Sequence, residues 1–365
     1  MNLSNIEMFR SEILPIASVP PAIRTASRRR VDAVRTVCAL AALGLGALAG
    51  SVPARAATPA IVLLADRDLD DRLSQAIGNL ASDATRIEMG SADAACGAAA
   101  SAKPRLAVFT NPPSPDYLEA CERSADAQVV SVALGYQAIA LVGPARGPVW
   151  PLGSDALFRS LSEHREENSR PANWSDVDSA YPKLPIGLLL SPSASVAERL
   201  FDLHVMAPPC IAAAGEGLPF DAANRFRYCT AVRRDLPTVQ RQSYAQDLAV
   251  WAASAPSGQI AVVRVSELRR LDGLVTPLPL DGVLPTSANI ASGRYAAAET
   301  VALLLVVPKN ADESGRGEAR TIAFDLLAEA SIGPDGTLVS AGLVPLTATE
   351  RVAARSQALT LLAHP

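Results

Sequence analysis

The residues best equipped for chemistry are few and widely spaced. Three histidines, His164, His204 and His364, lie far apart in the chain and match no metal-ligand spacing. No Gly-x-Ser-x-Gly elbow, no His-Glu-x-x-His helix and no Gly-x-x-x-x-Gly-Lys-Ser/Thr phosphate loop occurs. The chain therefore does not read as an enzyme, with no catalytic residue, metal ligand or cofactor assigned. Hydroxyls and amides at turns are the remaining candidates. Ser193 and Ser195 precede an apolar helix, where a hydroxyl first serves as an N-cap. Thr110-Asn111 before Pro112-Pro113 has the composition of a turn, and Gln137 lies between two apolar runs.

What positions these groups begins with an address. Arg28, Arg29 and Arg30 precede an uncharged run from Thr36 to Pro53, and Ala54-Arg55-Ala56 supplies small residues at a cleavage site. Basic flank, short apolar core and A-x-A site predict a cleaved secretory signal over residues 1–56. Those residues hold seven arginines against Glu7, Glu12 and Asp32, which leaves the rest of the chain near −8. A body that acidic, without a basic run, is unsuited to nucleic acid or anionic membrane. Four cysteines follow the signal: Cys96, Cys121, Cys210 and Cys229. An even count in an exported chain favours disulfides, and four cysteines allow three connectivities. The sequence-local one, Cys96 with Cys121 and Cys210 with Cys229, closes two modest loops, each contributing about 3 kcal/mol.

Short apolar runs alternate with helical periods. Ile61–Leu64, Leu106–Phe109, Gln128–Leu134, Ala138–Val142, Ile186–Leu190, Ile260–Val265 and Val301–Val307 read as strands. The 3.6-residue spacing of Leu69, Leu73, Ile77 and Leu80 predicts a helix, as do Ala156–His164, Ala197–Met206, Ala319–Ala330 and Ala348–Leu362. Apolarity that is continuous along the strands means that both sheet faces are covered, which gives an α/β fold.

Six segments then recur in a characteristic order. Ala107-Val-Phe-Thr110-Asn111 leads through Pro115 to Glu119-Ala-Cys121. Val132-Ala-Leu-Gly135-Tyr136-Gln137-Ala138-Ile139 joins two strands. Ala156-Leu-Phe158 precedes Asn173-Trp174-Ser175-Asp176-Val177, and Pro192-Ser193-Ala194-Ser195 opens a helix. Gly282-Val-Leu-Pro285-Thr286 with Ile290-Ala-Ser-Gly293-Arg-Tyr295 leads back to a strand. Gly333-Pro-Asp-Gly336-Thr-Leu338 and Gly342-Leu-Val-Pro345-Leu346 resemble a closing strand. Over residues 107 to 346 the pattern resembles the phosphate-type periplasmic substrate-binding proteins of ABC transporters, whose cysteine pairs are placed alike.

The resemblance implies a type II two-lobed periplasmic binding protein with a discontinuous first lobe, residues 57–145 plus 280–365, and a second lobe, 146–279. It implies a monomer in the periplasm that holds a small ligand, phosphate, another oxyanion or a small polar solute, between the lobes and passes it to membrane permease subunits. A sensor or scaffold that keeps the fold without a ligand is the alternative. The ligand-binding roles fall on Thr110, Asn111, Gln137, Ser193 and Ser195. Asn111 and Val196 stand where the family has arginines, Gln137 where it has an aspartate, and Ala138 and Ala194 where it has glycines. The first loop, Ala65-Asp66-Arg67-Asp68, lacks the family's Gly-Ser-Ser-Thr pattern. Losing one partner of a buried charge pair costs about 3–5 kcal/mol, so two lost arginines without replacement remove tight phosphate binding. Arg67 and Arg264 are the candidate replacements.

Overall fold

The structure, a computed structural model, describes residues 61–65, 69–80, 85–89, 92–97, 103–164, 170–191, 195–214, 221–236, 239–240 and 244–363. The expected signal, Asp66, Arg67, Asp68, Ser193 and His364 lie outside the described residues.

Nine strands form among the described residues: β1 Ile61–Ala65, β2 Thr85–Met89, β3 Arg105–Thr110, β4 Ala127–Pro144, β5 Gly187–Leu190, β6 Val239–Gln240, β7 Gln259–Arg264, β8 Val275–Leu278 and β9 Ala298–Pro308. They are bonded in the order β2-β1-β3-β9-β4-β7-β5-β6, with β8 also on β4. Strand β4 divides this path. Its residues from Ala127 to Ala138 pair antiparallel with β9, whereas those from Ile139 to Pro144 pair with β7 and β8. One long strand thus leaves a first sub-sheet and enters a second. Within the halves, β1 runs parallel to β2 and β3, and β5 runs parallel to β6 and β7.

Both faces of each sub-sheet are buried, as continuous apolarity requires. On β9, Val301, Leu303, Leu305 and Val307 enter one core with Leu106, Val108, Val132 and Leu134. Ala302, Leu304 and Val306 enter another with Ala107, Phe109, Cys96 and Cys121. The second half repeats the alternation, with Ile139, Leu141, Leu188, Ile260 and Val262 on one side and Ala140, Val142, Leu189, Ala261 and Val263 on the other. The Cys96–Cys121 disulfide joins helices Ala92–Gly97 and Pro115–Ala125 over the smaller, alanine-rich core of the first half. The Cys210–Cys229 disulfide joins helices Ala207–Ala214 and Ala222–Thr230 in a small cluster of their own.

Three expectations change. The runs on either side of Gly135 form one strand, because a register shift between Ala133 and Gly135 bends the chain without ending the ladder. The expected closing strand is instead helix Thr337–Ala341 followed by a single bridge, in which Tyr136 N–H donates to Val344 O at 2.9 Å and Val344 N–H donates to Tyr136 O at 2.7 Å. The helix expected over Ala197–Met206 contains a π turn at Asp202–Met206 between Val196–Phe201 and Ala207–Ala214. Within the π turn Leu203 is only half-buried, while Val205 and Met206 are buried.

Gly135 is the residue that permits the close passage of Leu343 and Val344 over β4. A Cβ there would lie 2.5 Å from Leu343 Cγ and 2.6 Å from the carbonyl oxygen of Val344. Gly135→Val should therefore lower stability by about 1–3 kcal/mol or more through overpacking against backbone, read as a fall in the urea midpoint.

Candidate functional site

The point where β4 changes partner is also where the two halves present the carboxyl ends of their parallel strands. In open α/β sheets this is where ligands bind. Asn111 follows β3 and Arg264 ends β7. The helix Val196–Phe201 follows β5, and Asp70 precedes the helix Asp71–Leu80 that follows β1.

Backbone register delivers the polar groups. Ladder pairing sets Thr110 opposite Val301 on β9 and Gln137 opposite Glu299. Asn111 then turns in a left-handed conformation, φ 61°, which asparagine tolerates, and its N–H donates to Thr300 O at 2.7 Å. Its amide consequently reaches Glu299, donating from Nδ2 to Oε1 at 3.3 Å. From the neighbouring strand, Gln137 Nε2 donates to Glu299 Oε2 at 3.4 Å. Arg199, from the other half, closes a bidentate fork: Nη1 to Oε1 at 3.0 Å and Nη2 to Oε2 at 2.6 Å. His204 Nε2 stands 3.6 Å from Oε1. The Glu299 side chain is 0% exposed and that of Arg199 is 22% exposed.

Arg199 and His204 are five residues apart, which in a regular α-helix separates them by about 140° around the axis. The π turn widens the helix, with Ala207 N–H donating to Asp202 O, and both side chains reach one carboxylate. A second link joins the halves at the rim, where Arg264 Nη1 donates to Asp70 while its Nη2 contacts Glu267 at 2.8 Å.

The expected ligand residues are distributed unevenly around this cluster. Asn111 and Gln137 are in it, and Thr110 is buried beside it in the β3–β9 ladder. Ser195 caps its helix, accepting from Glu198 N–H at 3.2 Å. Arg264 meets Asp70 at the rim. Sequence reasoning missed Glu299, Arg199 and His204. Arg199 lies three residues beyond Val196, on the same helix face, so a guanidinium arrives one turn after the position where the family carries one. Glu299, two residues before the apolar run Val301–Val307 and within the same strand, was the other available signal. No group of three potential metal ligands occurs among the described residues, nor is any described helix long and apolar enough to cross a membrane.

No family model and no curated protein matches the sequence. Among solved structures, the chain is similar to a possible phosphate binding protein from Planctomyces limnophilus, with TM-score 0.56 and 13% identity over 83% of this chain and 98% of that one. It is also similar to PstS from Borrelia burgdorferi, with TM-score 0.52 and 11% identity over 79% and 99%. The fold is that of the two-lobed phosphate-type binding proteins. The first half is discontinuous in this chain, with β9 returning between β3 and β4.

Two carboxyls in this region titrate in opposite senses. Burial would raise Glu299, but the neighbouring His204 and the hydrogen bonds and charge of Arg199 hold it well below the usual carboxylate range. Its stabilisation is thus present above the unfolded value of about 4.3 and is lost as pH falls through the folded one. Arg199→Met leaves the carboxylate buried without its cation. The variant should lose about 3–5 kcal/mol at neutral pH, with a shallower further loss below pH ~4 than the native chain in acid denaturation. Asp202 is pushed up to about 8, first by burial and then by the nearby Glu198 charge. The folded state then keeps a proton that the unfolded chain releases near pH ~4, so stability falls as pH rises toward 8. Asp202→Asn should raise the melting temperature at pH ~8, and the gain should vanish near pH ~4.

Proposed function

We propose that this chain is an exported solute-binding protein that takes a small polar solute between its lobes and delivers it to the membrane subunits of an ABC permease. Residues 1–56 form the cleaved signal, residues 57–145 with 280–365 the first lobe, and residues 146–279 the second. Support comes from the shared fold and from the placement of Thr110, Asn111, Gln137 and Ser195 around one crossing point.

The observation that carries the choice of solute is the fork between Arg199 and Glu299. Arginine is present after all, but its charge is balanced by a carboxylate of the same chain, and Arg264 is balanced by Asp70 and Glu267. Fixed charges of that kind favour a neutral or zwitterionic solute over a phosphate dianion.

The same pairs favour one second reading. Both span the crevice between the halves, so the clamp is tied without a ligand and serves as a sensor or scaffold. Thermal melting against phosphate, sulfate, phosphonates, sugars and amino acids separates the two. A solute at a hundred times its dissociation constant should raise the melting temperature by about 5–10 °C. Silence across the series rejects solute capture in favour of the scaffold, and stabilisation by phosphate rejects the neutral-solute reading.

A further inference from the structure

We propose that Glu299 is the resident anion of the cleft: its carboxylate occupies a built oxyanion site, and removing it leaves a site for a small free carboxylate. This rests on reading the crossing point as the ligand cleft.

The cluster is organised as a receptor for an anion. Each oxygen of Glu299 is engaged by two donors, Oε1 by Asn111 and Arg199, and Oε2 by Gln137 and Arg199. His204 approaches Oε1 as well. Donors arrive from β4, from the turn after β3 and from the helical segment of the opposite half, which is the convergence that a two-lobed clamp needs around a bound oxyanion. A planar guanidinium fork with two amides matches a carboxylate, one negative charge on two oxygens. Only the tether of Glu299 to β9 distinguishes this occupant from a ligand.

Truncation to alanine keeps Asn111, Gln137, Arg199 and His204 but empties the place of the carboxylate. Glu299→Ala in the full chain should melt lower than the native protein and regain about 5–10 °C at a formate concentration a hundred times its dissociation constant. Acetate should act similarly, chloride at equal concentration should not, and neither carboxylate should raise the native melting temperature. Glu299→Gln, whose amide fills the same volume, should gain nothing from formate. Should Glu299→Ala fail to accumulate folded, its refolding yield from urea with and without formate is the readout. No formate effect on the alanine variant in either assay overturns the inference. So does equal stabilisation of the native protein or of Glu299→Gln, and so does phosphate binding by the native chain. Formate rescue beside a silent solute series leaves this inference standing while solute capture fails.

Discussion

A carboxylate without solvent contact is tolerable only where hydrogen bonds and opposite charge replace its hydration. Glu299 meets that requirement by drawing on three parts of the chain, and the arrangement at the crossing point follows from it. Asn111 must leave β3 in a left-handed turn, Gln137 must lie directly across the ladder, and the helix after β5 must bring Arg199 in from the far half. If any of these segments moved away, a charge would remain buried with too few partners. The halves are consequently coupled through a polar contact as well as through shared strands.

The strands alone do not fix the relation between the halves. Two long antiparallel neighbours, β4 and β9, carry most of the ladder through the crossing, with the Tyr136–Val344 bridge as a third connection. Tyr136 packs against the main cores of both halves, and its hydroxyl donates to Ala291 O and to Glu350 Oε1, each at 3.3 Å. Burial and the Glu350 charge push its phenol up to about 12, so it stays a neutral donor at any physiological pH. Apolar packing and polar ties thus meet within a few residues of Gly135.

Much of the architecture was legible in the sequence, because runs such as Val301–Val307 have no polar face and must lie in a covered sheet. Sequence-local pairing of the cysteines was legible for a similar reason, since each pair brackets a short stretch of one half. The crossing was harder. Glycine at position 135 reads as a break between strands, and only the close passage of Leu343 and Val344 shows that it is a bend inside one. The partners of Glu299 were hidden by distance and by helix geometry. Arg199 is a hundred residues away, and His204 shares its target only because a π turn displaces it from the α period. A charged residue beside a hydrophobic strand reads as its solvated end until the neighbouring chain is known to cover it.

The order of the disulfides has a bearing on how such a chain matures. Among the four cysteines after residue 56, the first bonds to the second and the third to the fourth. In the export proposed above, an oxidant meeting thiols in chain order would make both native crosslinks in that sequence. Each half could be covalently sealed before the distant β9 arrives, with no shuffling enzyme needed to correct the pairing.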